Sequence, residues 1–350
     1  MRNFKILLAA TVAVFMTAAD AVNLRNDFGE VLLSPYYTSR DGQDTLLSVV
    51  NTTGDTKAIK VRFLEGINSR EVLDFNLYMS PYDVWTAAVV DGKDGAKIVT
   101  HDNSCTVPLI PAEGEPFRSY AYDGRLPEYP LDGGPTDLDR TREGHIEIIE
   151  MGIADMANLN AWDQDKNGVP DSTHRDGVPE NCQSFIHNWS SKGGWDTGFT
   201  NTLPPTGGLF GNSSVINVQK GTELDIPVVL LDGFSARELH FNPGTLDPNL
   251  THANPPLSVS LTGDNQIVVD SWPTGIQAVS AAMMASGLAQ EYTVNPNVEA
   301  ETAWVLTMPT KHYHVDLGLA PLAPFSQYFK NGQSCDVLDS LVFDREERLM

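Results

Sequence analysis

Between residues 57 and 79 the chain alternates with period two. Ile59, Val61 and Phe63 are separated by Lys60 and Arg62, and Leu73, Phe75, Leu77 and Met79 by Asp74, Asn76 and Tyr78. Successive side chains on a strand point to opposite faces, so the pattern predicts strands with one apolar and one polar side. Such strands pack on one face only. An amphipathic helix, whose apolar residues recur at three and four, is excluded here. Leu47 to Val50, a Gly54-containing loop over 51–56 and the strand from Lys57 to Glu65 read together as a hairpin. Ser80-Pro81-Tyr82-Asp83 marks the next turn, after which a strand resumes over 84–90. Asp91-Gly92-Lys93-Asp94-Gly95 is a turn before another strand over 96–100. Short strands punctuated at regular intervals predict a mainly β fold, an antiparallel β-sandwich of immunoglobulin-like or jelly-roll-like type.

Beyond residue 111 the pattern breaks. Pro116, Pro127, Pro130, Pro135 and the Gly133-Gly134 pair fill a stretch with little alternation. The chain thus divides into a first sheet block (22–111), a loop-rich insertion (112–213) and a second sheet block (214–350). Within the insertion His145 to Glu150 reads as a strand. The second block offers strands at Val215 to Val218 and Ile226 to Leu231, and a hairpin of Leu257–Leu261 with Ile267–Val269. Thr274 and Gln277 have capping-box spacing ahead of an Ala- and Met-rich run, which predicts one short helix over 275–291. Trp304 to Met308 reads as a buried strand stopped by Pro309. Val337 to Phe343 reads as a last strand before a charged end, so the natural domain is expected to continue past Met350.

The first 21 residues read as an export signal and not as part of the fold. Arg2 and Lys5 precede an apolar run from Ile6 to Ala18, and Ala19-Asp20-Ala21 satisfies the small-x-small cleavage rule, placing the mature start near Val22. No later stretch reaches the roughly 20 apolar residues of a membrane span. The expected location is the periplasm, the outer surface or the extracellular medium. Lys and Arg total 23 against 46 Asp and Glu, a net charge of −23. That argues against nucleic acid and anionic membranes as partners, because both are polyanions. An exported chain can form disulfides. Of its three cysteines, a Cys105–Cys182 bridge would close the long irregular middle region, leaving Cys335 to pair beyond Met350.

The blocks Val31-Leu32-Leu33-Ser34-Pro35-Tyr36-Tyr37, Ser48-Val49-Val50-Asn51-Thr52-Thr53 and Lys60 to Leu77, with Trp304 to Lys311 as a second recurring block, resemble a family of secreted Gram-negative proteins with no assigned activity. The resemblance covers roughly a third of the chain. It implies export and carries over no catalytic residue.

The motif richest in chemistry is Asp163-Gln164-Asp165-Lys166-Asn167-Gly168-Val169-Pro170-Asp171. Oxygen donors fall at loop positions 1, 3, 5 and 9, with Gly at 6 for the sharp turn, a spacing that wraps a short loop around Ca²⁺. The Val169 carbonyl would be a further ligand. Position 12 is His174 and not the bidentate Glu of an EF-hand. The Gly-Val-Pro-Asp ending instead resembles the acidic calcium repeats of thrombospondin type 3, which implies that later acids complete the shell; Asp176 and Glu180 are the candidates. An acidic solvated turn is the alternative.

Other signals are weaker. His312, His314 and Asp316 would share one face of a strand and bind Zn²⁺, or would simply form a polar strand face. Trp162, Trp189 and Trp195, with Tyr120, Tyr122 and Tyr129, would stack on sugar rings if exposed, or pack beneath the long loops if not. Glu147 with Glu150, or Asp137 with Asp139, would supply the acid pair of a glycosidase. No Gly-x-Ser-x-Gly, phosphate-binding GxxxxGK[ST] or GxGxxG sequence occurs. The leading expectation is an exported, non-enzymatic surface or matrix protein with a structural calcium site. It would bind other surface proteins or glycans, with self-assembly through a free strand as one version. The alternative is a secreted polysaccharide-acting hydrolase or glycan-binding protein.

Overall fold

The computed structural model describes residues 21–349 apart from 128, 199, 262–265, 286, 296–301, 316–324, 331 and 345. The expected export signal, Ala21 excepted, lies outside them. In chain order the strands begin with β1 (Asn23–Arg25), β2 (Val31–Thr38), β3 (Asp44–Asn51), β4 (Lys57–Glu65), β5 (Glu71–Met79) and β6 (Val84–Asp91). Next come β7 (Ala96–Val99), β8 (Cys105–Val107), β9 (Glu115–Pro116), β10 (Glu143–Ala154), β11 (His174–Arg175) and β12 (Val178–Pro179). The last are β13 (Thr202–Leu203), β14 (Leu209–Asn217), β15 (Thr222–Ile226), β16 (Val229–Asp232), β17 (Leu257–Leu261) and β18 (Ile267–Ser271). The α-helices are short: α1 (Cys182–Asn188), α2 (Gly275–Ala282) and α3 (Lys311–Val315).

The architecture is mainly β and antiparallel, as the alternation predicted. An eight-stranded sheet runs β1-β16-β2-β10-β4-β5-β8, with β13 added on β10. A six-stranded sheet runs β15-β14-β3-β6-β7-β9. Between them lie Ile59, Val61, Phe63, Phe75, Leu77, Ile146 and Ile148 from the first sheet and Leu47, Val49, Trp85, Val89 and Ile98 from the second. Burying each such side chain contributes about 1.5–3 kcal/mol, so this interior carries the fold.

Residues 47–65 are not a hairpin. β3 pairs with β6 and β14, while β4 pairs with β5 and β10, so the link over 51–56 arches from one sheet to the other. The Asn51 amide closes the arch by donating to the carbonyls of Asp55 (2.7 Å) and Ser80 (2.9 Å). The chain crosses again between β5 and β6. It also crosses at Pro227, splitting the strand expected over 226–231 into β15 and β16. Proline has no N–H to offer a ladder, which makes it a natural crossing point. The β6–β7 and β17–β18 hairpins form as expected.

The polar face of β4 and β5 is not exposed either. Every residue of both strands is buried. Charges on that face pair across neighbouring strands: Lys60 with Asp74, and Arg62 with Glu71 (2.7 Å) and Glu147 (2.5 Å). Over the rest of the sheet lies a second core in which Tyr78, Ile149 and Met151 meet Trp162, Phe185, Trp195, Phe234 and the α2 residues Ile276 and Val279. The 112–213 stretch supplies β10 at the middle of the eight-stranded sheet and, with Trp162, Phe185 and Trp195, part of this cover.

The expected helix over 275–291 is shorter. It ends at Ala282, where burial ends: Met284 and Leu288 are exposed, and a helix without a face to pack is marginal. The Thr274 hydroxyl reaches the Gln277 side chain (3.0 Å) and makes no backbone cap. Residues 304–308 and 337–343 form no strands. Trp304, Leu306, Val337 and Leu341 are exposed, and the Thr307 hydroxyl donates to the Pro35 carbonyl on β2. No helix among the described residues is long and apolar enough to cross a membrane.

Candidate metal centre

The acidic loop hangs from the second core. A short 3-10 turn, Asn160–Trp162, leads into it, and the Trp162 indole is buried and donates to the Thr200 carbonyl at 2.9 Å. The far end is tied back to the same residue, because the Asp171 N–H donates to the Trp162 carbonyl at 2.7 Å. Asn181 N–H then donates to the Asp171 carbonyl at 2.9 Å, just before α1. Gly168 takes φ +92°, which its lack of a side chain permits at the sharp turn.

Within the loop the carboxylates converge. Asp163, Asp165 and Asp171 each place one oxygen so that all three lie within 4.8 Å of one another. Asp163 accepts from the N–H groups of Asn167 (3.1 Å) and Gly168 (2.8 Å), and Asp171 Oδ2 accepts from Gln164 N–H (3.2 Å). Asp171 is 1% exposed, yet its Oδ1 has no hydrogen-bond partner in the protein. Burial raises the Asp171 carboxyl above its ordinary range, and the negative charges of Asp163 and Asp165 add to the rise. For Asp163 burial acts in the same direction, but the N–H groups of Gly168 and Asn167 outweigh it and hold that carboxyl low. Like charges about 4 Å apart repel by roughly 4 kcal/mol at a partly screened site. A trio like this calls for a cation or a proton, and hard oxygen donors in a tight loop suit Ca²⁺.

Asn167 and Asp176 differ in where they stand relative to the trio. Asn167 borders the trio, its amide donating to Asp165 (3.2 Å) and Glu180 (2.5 Å) and its oxygen accepting the Val169 N–H (3.0 Å). Asp176 lies outside the trio. With Gly177 it forms the two-residue turn of the β11–β12 hairpin, both at positive φ, and its side chain is exposed. That is the primed turn an Asp-Gly pair favours, so turn chemistry and not ligation explains the residue.

The Cys105–Cys182 bridge is present, with Cα atoms 5.0 Å apart, and ties β8 to the start of α1. Cys335 is free and exposed. On α1, Phe185 stacks on Tyr78 with ring centres 4.3 Å apart. Trp162, Trp195 and His240 close an aromatic box around them. Trp162 and Trp195 are therefore packed beneath the loops and unavailable to sugar, and Trp189, half-buried, donates its indole N–H to the Tyr78 hydroxyl at 2.7 Å. Tyr122 lies under the Arg140 guanidinium, and Tyr120 donates to Glu71.

The histidine reading also changes. His312 and His314 sit on α3, where residues two apart point away from each other, so no shared strand face exists. His314 Nε2 meets the Ser280 hydroxyl on α2 at 2.9 Å, and Asp316 lies outside the described residues. Glu147 and Glu150 are fully buried, Glu147 against Arg62 and Glu150 against Lys57 (2.5 Å) and the N–H groups of Thr206 and Gly207. Burial raises both carboxyls, but neither opens on a cleft. Asp137 caps the 3-10 turn Leu138–Arg142, and Asp139 pairs with Arg40 and Arg142. A cleft of about 630 Å³ lies beside His145 and residues 304–308; its cations Arg40, Arg140 and Lys311 are already bound to carboxylates.

Sequence reasoning missed the ion-paired layer around Arg62 and the buried state of Asp171. The first left a trace, since Lys60, Arg62, Asp74 and Glu147 all fall at the polar positions of their strands. No family model matches the chain, and no curated protein or solved structure matches it.

Proposed function

We propose that the protein is an exported, non-catalytic β-scaffold of a cell surface or matrix, binding other proteins or glycans, and that the 163–171 loop holds a structural Ca²⁺. The observation that carries this reading is the convergence of Asp163, Asp165 and Asp171, one of them buried with an oxygen lacking any protein partner. The disulfide fits an oxidising compartment. The acid pairs that a glycosidase would need are held in ion pairs or caps, which favours a binding role over turnover. Three acids with Lys166 in the same loop suit a weak site, matched to the millimolar calcium outside cells. An ion bridging the trio would fasten the loop to the aromatic box through Trp162. At a hundredfold excess over its dissociation constant it would stabilise the fold by about 2.7 kcal/mol.

The test is calorimetric titration of chelator-treated protein with Ca²⁺, paired with thermal melts. Binding heat, a higher Tm in millimolar Ca²⁺ and loss of both in Asp171→Asn are expected. Absence of heat and of any Tm shift would overturn the calcium site. A glycan screen that found turnover would overturn the non-catalytic role.

A further inference from the structure

Three consecutive residues join the acidic loop to the disulfide. Glu180 accepts the Asn167 amide, from the middle of the loop, at 2.5 Å. Asn181 donates its N–H to the carbonyl of Asp171, the most deeply buried member of the trio, at 2.9 Å. Cys182 is bonded to Cys105 on β8. The Ser184 hydroxyl, beside the Asp171 carboxylate, donates to the Asn181 carbonyl at 2.8 Å, so Asp171 Oδ1 stays unpartnered. A second tie runs from the other side of the bridge. Asn103, two residues before Cys105, donates to the Gly177 carbonyl at 2.7 Å, and its oxygen meets His174 Nε2 at 3.2 Å. Both contacts hold the β11–β12 hairpin, which links the loop to α1.

On the reading that the loop binds Ca²⁺, we propose that the ion site and the bridge are one coupled unit. The Cys105–Cys182 bond sets the affinity of the loop for Ca²⁺, and bound Ca²⁺ in turn shields the bond from reduction. Two features of α1 make the bond matter. The helix has seven residues, too few to persist unaided. Phe185 anchors it in the aromatic box, but its start has no side-chain cap, so the covalent link to β8 is what fixes residues 180–182. With the bond cut, Glu180 and Asn181 are free to leave the loop, and Asp171 loses one of its two backbone ties. The other, to Trp162, remains, so reduction weakens the site without erasing it.

Cys105 is buried and Cys182 partly exposed, so a small dithiol attacks the Cys182 sulfur and releases Cys105 as the thiolate. The second thiol of the reductant then displaces the first from Cys182. The bridge takes up two electrons and two protons to give two thiols, and the reductant leaves as its cyclic disulfide. Linkage makes the two effects equal: the factor lost in Ca²⁺ affinity on reduction is the factor by which saturating Ca²⁺ disfavours reduction. A roughly tenfold factor corresponds to about 30 mV for a two-electron couple. An oxidising compartment, which permits the bond, thereby also switches on the ion site.

Calorimetric Ca²⁺ titration of the oxidised protein, of Cys105→Ser with Cys182→Ser, and of Val61→Ala tests the coupling, with circular dichroism confirming that each is folded. Val61→Ala loosens the core between the two sheets, away from α1, and controls for a general loss of stability. Affinity roughly tenfold weaker in the double variant and unchanged in Val61→Ala is expected. Equal affinity in the oxidised protein and the double variant, or equal weakening in Val61→Ala, overturns the coupling and leaves the calcium site standing. Oxidised protein that binds no Ca²⁺ overturns the calcium reading itself, and the coupling with it. Should the double variant fail to fold, the wild-type bridge decides, equilibrated with graded ratios of reduced to oxidised dithiothreitol in Ca²⁺ or chelator. Ca²⁺ is expected to raise the ratio needed for half-reduction by roughly tenfold in wild type and not in Asp171→Asn. A midpoint indifferent to Ca²⁺, or shifted equally in Asp171→Asn, overturns the coupling.

Discussion

The outer faces of the two sheets invert the usual arrangement. Lys60, Arg62, Asp74 and Glu147 project from the eight-stranded sheet and are buried, whereas Leu46, Val84 and Phe210 project from the six-stranded sheet and are exposed. Local pattern does not decide which face is covered. The long connections do, by carrying Trp162, Phe185, Trp195 and α2 to one side only. Charges tolerate that cover because the register sets Arg62 opposite Glu147 on β10, and Glu71 on β5 reaches the same guanidinium. A buried ion pair with a partner on each side is stable to cover, and an unpaired one is not.

The largest expected effect therefore comes from breaking that pairing. Arg62→Met leaves Glu71 and Glu147 buried without a cation and should cost about 3–5 kcal/mol in urea unfolding. Replacing all three with Met or Leu should cost less than the single change. If the single change proves neutral, the charged layer is not sealed from water. Next is the staple at the rim of the cover. Cys105→Ser with Cys182→Ser opens a link spanning 77 residues and should lower stability by about 2–5 kcal/mol, read by the same unfolding curves.

Glu30, between β1 and β2 under the same cover, gives a pH signature. Its carboxylate accepts from the N–H groups of Phe234 (2.7 Å) and Ser235 (2.9 Å), and burial pushes its pKa up to about 7 from 4.5. Between those values the folded state binds a proton that the unfolded state has released. The contribution of Glu30 to stability is thus greatest below about pH 4.5 and falls as pH rises to about 7, by up to roughly 3 kcal/mol. His145 and His240, buried and depressed to about 3, act in the opposite sense, losing stability as pH drops below about 6.5. The difference in Tm between wild type and Glu30→Gln isolates the first contribution and should widen in favour of the variant toward neutral pH. A constant difference would place Glu30 in water. The smallest effect belongs to the bare sheet: Leu46→Lys or Val84→Lys should change monomer stability by no more than about 0.5 kcal/mol.

How much of this was legible in the sequence follows from what is local. Period two located β4 and β5, and Asp91 to Gly95 located the β6–β7 turn. The spacing of Asp163, Asp165 and Asp171 located the carboxylate trio. Crossings between sheets were not legible at Asn51–Thr56, because an arch and a hairpin use the same turn residues and differ only in which strands they later meet. Alternation also misled at His312 and His314, where a single helical turn carries two residues that a strand would have aligned. The Arg62 guanidinium meets Glu147, 85 positions away, and Tyr313 on α3, which no local window contains.

The acidic loop grows directly from Trp162 in the cover, so an ion there should be visible to that ring. Terbium luminescence excited through tryptophan reads this proximity. The expected result is sensitised emission that Ca²⁺ displaces and Asp171→Asn abolishes. Emission that never appears, or that persists unchanged in Asp171→Asn, would contradict a cation held by Asp163, Asp165 and Asp171.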